Sequence, residues 1–274
     1  MKHSRRDLLL ALGGVVASAR FGDVHAQTNF ASYSDADQEA LLRGGTVVSV
    51  SDIGEGVTKP IRAELSWKGV SHAAQIQVVD RRLPDFFGDD GTVLPMRDAW
   101  RFNVAAYRID RLLKLNMVPV SVSRAYKGTP GAFTWWADDV KGQETQRVNE
   151  GWKAPDAERF ERQRAIGRVF DELIMNIDRN LGNLLITNSW QVVLIDHTRT
   201  FTPYRNIRNR ANLTRCSRAL LAQMSSLTEG AISKSVGSSL TRVEIAALLA
   251  RRDLIMAFFD EATKTKGVEN VLFG

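Results

Sequence analysis

Two short apolar runs in the C-terminal half, residues 184–186 and 191–195, constrain the fold of this chain more than any other feature. They are separated by a few turn-forming residues, a pattern that predicts two antiparallel strands joined as a hairpin. Asp178 and Asn183 precede the first run, and Asp196 follows the second directly. Because the two ends of a hairpin lie side by side, we expect these three polar side chains to meet at its open end.

The three side chains suit the chemistry of phosphoryl transfer. Mg²⁺ prefers oxygen ligands and is usually held by one or two carboxylates together with phosphate, and Asn183 and Asp196 would supply such oxygens. A separate carboxylate orients the attacking hydroxyl, and Asp178 is the candidate. Any one of these residues alone is more typical of an ordinary turn, whereas the combination at this spacing favours a catalytic role.

The spacing of these residues resembles a known family. An Asp followed five residues later by Asn, then by a short hairpin and an Ile-Asp pair, resembles the catalytic loop and metal-binding aspartate of the protein-kinase-like fold. The stretches Asn176-Ile-Asp-Arg-Asn-Leu-Gly-Asn183 and Leu194-Ile-Asp-His-Thr198 are similar to its atypical branch, which includes phosphoinositide-kinase-like, HipA-like and secretory-pathway kinases. The resemblance implies a bilobal α+β fold, with ATP and Mg²⁺ or Mn²⁺ as cofactors. No Ala-Pro-Glu follows Asp196, so an ordinary phosphorylated activation loop is not expected.

The order of the predicted elements agrees with two lobes. Residues 27–137 are expected to form a β-rich N-lobe, residues 138–154 a polar linker, and residues 155–274 a helical C-lobe that contains the hairpin. Apolar alternation predicts strands and helical spacing predicts helices. The predicted N-lobe elements are a capped helix over 34–42, strands over 46–50, 57–65, 73–79, 118–124 and 132–136, and a helix over 98–115. In the C-lobe we expect helices that begin near Pro155 and after Thr241, the latter with a capping box.

A glycine-containing turn in the N-lobe is the candidate phosphate-binding loop. Gly54 and Gly56 lie between the first two predicted strands, and Lys59 follows them. Residues without a Cβ atom allow the backbone to approach a phosphate closely; the alternative is an ordinary hairpin turn. The chain contains no Gly-Lys-Ser or Gly-Lys-Thr, so a P-loop is not predicted.

The resemblance also implies a lysine on the third N-lobe strand and a glutamate on the following helix, which together hold the nucleotide phosphates. Gln77 and Asn103 stand at those positions. Loss of one partner alone would leave a buried unpaired charge, which typically costs about 3–5 kcal/mol, whereas two neutral amides avoid that cost. We expect Gln77 and Asn103 to bond each other and a phosphate. Lys59 is the proposed source of positive charge, with Lys68 as a second candidate, although Lys59 is also typical of a solvated strand.

Several side chains near these positions admit two interpretations each. His197 would orient Asp196 or lie on a surface turn. Arg179 and Arg199 would contact phosphate or brace the loop. The aromatic stretch 133–136 falls where a hinge between the lobes is expected, and it would stack on a base or pack between the lobes.

The first 26 residues resemble an export signal. They contain Arg5-Arg6, an apolar run over 8–17 and a small-residue site that ends at Ala26, which are the three parts of a signal peptide. The paired arginines are similar to a twin-arginine signal, so we expect an exported, periplasmic protein; the alternative is a cytoplasmic protein with an amphipathic N-terminus. No other apolar stretch reaches membrane-spanning length, so no stable membrane span is expected in the mature chain.

Composition excludes several classes of site and partner. The single cysteine, Cys216, cannot form an intramolecular disulfide, and four histidines leave no cluster for structural zinc. Residues 213–221 are predicted to form an amphipathic helix that buries Cys216 as an idle thiol. The net charge of +6 is spread along the chain, so nucleic-acid binding is not expected, whereas anionic substrates are allowed.

Two functions are consistent with the sequence. The first is a phosphotransferase that uses ATP and Mg²⁺ to modify a hydroxyl of a protein, lipid or glycan. The second is a pseudokinase that binds a nucleotide or a partner without turnover. Retention of Asp178, Asn183 and Asp196 favours the first, and the neutral residues Gln77 and Asn103 favour the second.

Overall fold

The computed structural model of this protein describes residues 33–54 and 60–274. The predicted export signal, residues 1–26, and the candidate residues Gly56 and Lys59 lie outside the described residues, so what was expected of them stays a prediction. The elements of the N-terminal half are α1 (Asp35–Gly44), β1 (Thr46–Asp52), β2 (Ile61–Trp67), β3 (Val70–Gln77), β4 (Asp80–Phe87), β5 (Val93–Ala99), α2 (Arg101–Leu112), β6 (Ser121–Tyr126) and β7 (Thr129–Trp135). Those of the C-terminal half are β8 (Val140–Gln143), α3 (Glu144–Glu150), α4 (Ala157–Ile174), β9 (Leu184–Thr187), β10 (Val192–Leu194), β11 (Cys216–Ser217), α5 (Arg218–Ser226), α6 (Glu229–Val236), α7 (Arg242–Lys266), α8 (Val268–Val271) and β12 (Leu272–Phe273).

A five-stranded antiparallel sheet forms the body of the N-lobe, in the order β1-β2-β3-β7-β6. Asp52 at the end of β1 pairs with Ile61, and Ile61 pairs with Ile76 of β3. Gln77 therefore lies at the end of the sheet where β1 stops and β2 starts. Lys68 lies in the turn at the other end of β2, a strand of seven residues that spans about 20 Å at the usual rise. Lys68 is thus too far from Gln77 to share a phosphate with it.

Helix α1 confirms the capped helix predicted over 34–42. The Ser34 side chain accepts a hydrogen bond from the Asp37 amide at 3.2 Å, and the Asp37 side chain bonds back to the Ser34 backbone, which forms a capping box. Glu39 of this helix accepts hydrogen bonds from Arg108 at 2.6 and 2.8 Å and from Tyr107 at 2.9 Å. These bonds join α1 to α2, the helix that carries Asn103.

A second hairpin, β4 and β5, is inserted between β3 and α2. It was not predicted, and the helix expected over 98–115 begins only at Arg101, because Asp98 and Ala99 still belong to β5. Most residues of β4 are at least partly exposed and the strand contains Pro84, beside a break in the pairing register between Leu83 and Phe86. Exposure on both faces and a proline remove the apolar alternation by which a strand is recognised.

The segment expected to be a linker contains ordered structure. Strand β8 pairs with β9 and extends the predicted hairpin to a three-stranded sheet in the order β10-β9-β8. Helix α3 follows it directly and ends at Gly151, whose φ of 68° is left-handed. The connection between the lobes is therefore paired with the hairpin of β9 and β10.

The C-terminal part is helical, as predicted. Helix α4 has Asp156 as its N-cap, next to Pro155, and α7 has the predicted capping box of Thr241 and Glu244. Cys216 lies in β11 instead of a helix, since α5 starts at Arg218. The thiol is fully buried, and burial raises the pKa of Cys216 to about 12, which agrees with an idle thiol. Among the described residues, no helix combines the length and apolar character that a membrane span requires.

Candidate functional site

The predicted hairpin of β9 and β10 brings the two halves of the candidate loop together. The strands pair antiparallel, with Leu184 opposite Leu194. One residue further out, the Ile195 amide donates a hydrogen bond to the carbonyl of Asn183 at 3.1 Å. The side chains of Asn183 and Asp196 therefore leave neighbouring points of the backbone, as the sequence predicts.

The loop before β9 is shaped by its own polar side chains. The Asp178 amide donates to Asn176 Oδ1 at 3.0 Å, and the Gly182 amide donates to Asn180 Oδ1 at 2.9 Å. Asn183 Nδ2 donates to the carbonyl of Asp178 at 3.3 Å. This last bond uses the donor side of the Asn183 amide. Within residues 33–54 and 60–274 its Oδ1 atom has no hydrogen-bond donor, which leaves that oxygen available to a cation.

Asp196 occupies a strained position at the end of the hairpin. Its φ of 53° lies in the left-handed region, which is uncommon for a residue other than glycine and tends to occur at functional sites. One carboxylate oxygen, Oδ1, accepts a hydrogen bond from Thr198 Oγ1 at 3.1 Å. The other carboxylate oxygen accepts none in the part of the chain that the structure describes.

Arg179 braces the loop from beneath. Its Nε and Nη2 atoms donate to the Asp171 carboxylate at 2.9 and 3.0 Å. Its Nη1 atom donates to the carbonyls of Asn183 and Ile195, both at 2.7 Å. One guanidinium thus holds the start and the end of the hairpin on helix α4. Of the two roles considered for Arg179, the structure assigns bracing.

His197 is a buried brace and not a surface turn residue. The residue is 1% exposed, and its Nε2 atom lies 3.0 Å from Arg179 Nη2. Burial, together with the Arg179 guanidinium, holds the pKa of His197 well below its usual range, so the imidazole is neutral and Nε2 accepts the hydrogen bond. The His197 amide donates to Asn103 Oδ1 at 2.8 Å, which ties the residue after Asp196 to α2.

Gln77 and Asn103 form the expected neutral pair. Asn103 Nδ2 donates to Gln77 Oε1 at 2.5 Å, and both residues are buried, 3% and 4% exposed. Since Asn103 also accepts from His197, one chain of hydrogen bonds runs from β3 through α2 to the Asp196 loop. Gln77 Nε2 is buried and has no partner among the described residues, although a buried donor normally has one.

Arg199 and Asp98 complete the site, and sequence reasoning did not identify Asp98. Arg199 Nη1 donates to Asp178 Oδ2 at 3.0 Å, and its Nε atom donates to Asp98 Oδ2 at 3.1 Å. Asp98 is fully buried and belongs to the inserted hairpin. No local signal in the sequence marks it, because its partner Arg199 is 101 positions away.

Two further predictions concern the edges of the cleft. Gly54 is exposed, has a left-handed φ of 73°, and donates its amide to Asp52 Oδ1 at 2.9 Å, which is the geometry of a turn that needs glycine. In the aromatic stretch, Trp135 is buried and stacks on His72 with ring centroids 3.5 Å apart. Trp135 is therefore a packing residue at the hinge.

The donor set at this site is sparse. Within the described residues, no group of three or more His, Cys, Asp or Glu side chains is arranged to hold a metal ion. A cation between Asn183 and Asp196 would therefore complete its shell with phosphate and water. Mg²⁺ binds in that way in phosphoryl-transfer sites, through one or two protein carboxylates plus substrate phosphates.

Comparisons with known proteins identify the fold. No family model matches the chain, and no curated protein matches it significantly. Among solved structures, a hydra Fam20 protein with sugar superposes with a TM-score of 0.67 at 14% identity, covering 90% of this chain and 97% of that one. The Golgi casein kinase gives 0.63 at 13% identity over 89% and 81%, and its form with Mn/ADP bound gives 0.59 at 12% over 89% and 80%. The chain therefore has an atypical-kinase-like fold, and the predicted bilobal α+β architecture is confirmed.

Proposed function

We propose that this protein is an atypical kinase-like phosphotransferase that uses a nucleotide and a divalent cation to modify a hydroxyl group. Asn183 and Asp196 would hold Mg²⁺ or Mn²⁺, and Asp178 would orient the acceptor hydroxyl. One observation supports this most directly: Asn183 Oδ1 and one oxygen of Asp196 lie at the same end of one hairpin, and no donor among the described residues uses them. Acceptor oxygens left unused by protein donors suit a cation.

The N-lobe residues fit a nucleotide as well. The unpartnered Gln77 Nε2 atom is a buried donor at the end of the sheet where β1 stops, and a phosphate oxygen would satisfy it. Gly54 marks the start of the candidate phosphate loop at the same end, and Gly56 and Lys59 would continue it. The Golgi casein kinase was solved with Mn/ADP bound, which supports ATP and a divalent metal as the cofactors here.

The residues of this chain would act by position and charge. When bound, the divalent cation neutralises charge on the transferred phosphate. Asp178, whose side chain is 43% exposed, can receive an acceptor hydroxyl from the cleft. Arg179 and His197 keep the hairpin ends in register, so Asn183 and Asp196 hold their separation. Protein, lipid and glycan acceptors all offer the required hydroxyl.

A catalytically inactive pseudokinase is the second candidate. The neutral Gln77–Asn103 pair favours it, since the two amides are joined by a hydrogen bond of 2.5 Å and bring no positive charge to the phosphates. Such a protein would bind the nucleotide or a partner through the same cleft without turnover.

Binding and turnover measured together separate these functions. We expect ATP or ADP with Mg²⁺ or Mn²⁺ to raise the melting temperature of the wild type and to give a titration isotherm, and Asp196→Ala to abolish both effects. Asp260→Ala is the matched control, because among the described residues the Asp260 side chain pairs with Lys264 alone, at the surface. Binding with ATP turnover supports the phosphotransferase, binding without turnover supports the pseudokinase, and no metal–nucleotide effect contradicts both.

Lys59 is the proposed cation of the phosphate loop. Replacing it with alanine should weaken binding of Mg–ADP about 10-fold, the typical effect of one charge-assisted hydrogen bond. A titration of the Lys59→Ala variant by calorimetry measures this, with Lys68→Ala as the control at the far end of β2. Equal affinity of wild type and Lys59→Ala would remove Lys59 from the site.

We also propose export through the twin-arginine pathway, on the basis of Arg5-Arg6 and the apolar run that follows. Replacing both arginines with lysine should keep the full-length precursor in the cytoplasm, because the receptor recognises the arginine pair. Cell fractionation and immunoblotting measure the location, and an unchanged distribution would contradict the proposal in favour of a cytoplasmic protein.

A further inference from the structure

Arg199 lies between two carboxylates that come from different parts of the fold. Its Nη1 atom donates to Asp178 Oδ2 at 3.0 Å and its Nε atom donates to Asp98 Oδ2 at 3.1 Å. The two acids differ in exposure, since the Asp98 side chain is 0% exposed and that of Asp178 is 43% exposed. The guanidinium therefore links a buried carboxylate to one that is open to solvent.

Asp98 is held firmly because the hairpin that carries it is anchored at its base. The next residue, Ala99, donates its amide to the carbonyl of Thr198 at 2.8 Å. Arg81, opposite Asp98 on β4, donates a second hydrogen bond to Asp98 Oδ2 at 3.1 Å. The buried carboxylate thus has two cationic partners and cannot turn away from Arg199 without losing both.

The tip of the same hairpin contacts the chain that follows Arg199. The rings of Phe86 and Tyr204 pack with centroids 5.0 Å apart, and Asp90 Oδ2 accepts a hydrogen bond from Asn206 at 2.7 Å. Contacts at the base and the tip hold β4 and β5 along the segment from 198 to 206. The hairpin is therefore a rigid support for this segment and not a free appendage.

A guanidinium in this position restricts the orientation of the exposed Asp178 carboxylate. A half-exposed aspartate samples several rotamers, while the planar fork of an arginine fixes the direction of each hydrogen bond it makes. With one donor of Arg199 bound to buried Asp98, the other donor restricts the Asp178 side chain. An acceptor hydroxyl needs that restriction, because a misplacement of about 1 Å lowers the rate by about 100-fold.

We propose that Arg199 is a positioning residue for Asp178, and that the β4–β5 hairpin sets its position through Asp98. This inference rests on the proposed phosphotransferase function. It assigns the inserted hairpin a role in catalysis through Asp178: Arg199 hydrogen-bonds Asp178 and Asp98 directly, whereas it acts on Asp196 only through the field of its charge.

Steady-state kinetics with Mg–ATP and water as the acceptor test the proposal. We expect Arg199→Gln to lower kcat by about 10- to 100-fold, with KM for ATP and the calorimetric Kd for Mg–ADP changed less than about 3-fold. Asp98→Asn should lower kcat by about 3- to 10-fold, because Arg199 loses its charged anchor while keeping Asp178. Asp98→Asn/Arg199→Gln should be no slower than Arg199→Gln alone, because Asp98 acts through Arg199.

Two further variants separate positioning from folding. Arg199→Lys keeps a cation beside buried Asp98, so it should fold and recover part of the lost kcat, although a single ammonium cannot bond both acids in two fixed directions. Arg82→Gln is the control, because Arg82 lies on the other face of β4 and, in the part of the chain that the structure describes, its one ion pair is with Asp85 at the surface, 2.8 Å away. It should match the wild type.

The outcomes distinguish this inference from the function on which it rests. A wild type that binds no nucleotide, or that binds it without turnover, overturns both the phosphotransferase function and the positioning role. A wild type that turns over ATP, together with an Arg199→Gln variant of equal kcat or of changed KM alone, overturns the positioning role and leaves the function standing. If the reductions of kcat in the two single variants multiplied in the double variant, the proposed link through Asp98 would be overturned.

Discussion

The two sides of the candidate site, which we call the C-lobe wall and the N-lobe wall, differ in the charge of their polar side chains. The C-lobe wall is charged: Arg179 and Arg199 are each paired with carboxylates, and Asp178 and Asp196 are both partly exposed. The N-lobe wall is neutral, with the Gln77–Asn103 pair buried where the resemblance implies a lysine and a glutamate. The proposed metal side of the site therefore carries charged residues, whereas the proposed phosphate side has two neutral amides where the resemblance implies an ion pair.

The two arrangements also differ in what happens when one partner is removed. An ion pair that is buried makes each charge depend on the other, so that loss of one partner is strongly destabilising. A pair of amides leaves at most an unsatisfied donor or acceptor. The two walls should therefore respond differently to substitution.

The largest effect is expected on the charged wall. Arg179→Ala should lower the free energy of unfolding by about 3–5 kcal/mol, because Asp171 would be left buried without its cation and the carbonyls of Asn183 and Ile195 would lose a donor. Urea denaturation in EDTA measures this. Lys264→Ala, which removes an exposed ion pair, should change stability by less than about 1 kcal/mol. Equal effects of the two substitutions would show that Arg179 is not a structural brace.

The second prediction introduces an ion pair at Gln77 and Asn103 on the neutral wall. Gln77→Lys alone should lower the free energy of unfolding by about 3 kcal/mol, because a buried ammonium would face a neutral amide. Gln77→Lys/Asn103→Glu should recover most of that loss by forming an ion pair. A double-mutant cycle from urea denaturation gives the coupling energy between the two substitutions. A coupling energy near zero would mean that a lysine and a glutamate at these two positions do not form an ion pair.

Asp110, in the last turn of α2, should make the free energy of unfolding depend on pH. Burial raises the pKa of Asp110 to about 6, above its unfolded value of 3.8, so between these values the folded protein binds more protons than the unfolded one. Stability contributed by this group should therefore fall as pH rises from about 4 to 6, by up to about 1.4 kcal/mol per pH unit. The difference between wild type and Asp110→Asn in denaturation at pH 4 to 7 isolates this slope. A constant difference would contradict it.

The smallest effect concerns the unpartnered donor of Gln77. Gln77→Ala should weaken Mg–ADP binding by about 2- to 10-fold, the range expected for one hydrogen bond. Calorimetry measures the affinity, and Ser71→Ala at the other end of β3 is the control. Tighter or unchanged binding would indicate that Gln77 Nε2 does not contact the nucleotide.

The parts of the fold that could be predicted are those set by neighbours in sequence. Asp178 and Asn183 are five positions apart, and the strands β9 and β10 are joined by a short turn, so local geometry alone brings the loop together. The capping boxes at Ser34 and Thr241 are equally local. The neutral Gln77–Asn103 pair followed from the resemblance, and their mutual hydrogen bond confirms the expected contact.

The parts that could not be predicted either lack a local pattern or depend on distant contacts. Neither β4 nor β8 has a fully buried residue, so neither shows the apolar alternation that predicts a strand. For this reason β8 and α3 were assigned to a linker. Cys216 was placed in a helix because its surroundings have helical spacing, yet it pairs with Leu272 in β11 and β12. Asp98 contacts Arg199 across 101 positions of sequence, so no local pattern predicts the pair.

Diffraction from crystals grown with Mn²⁺ and ADP would test most directly whether Asn183 and Asp196 hold a cation in the cleft. We expect an anomalous peak within bonding distance of Asn183 Oδ1 and an Asp196 carboxylate oxygen, with ADP phosphate on its other side near Gln77. An ADP molecule bound without a cation at these residues, or a cation bound elsewhere, would contradict the proposed site.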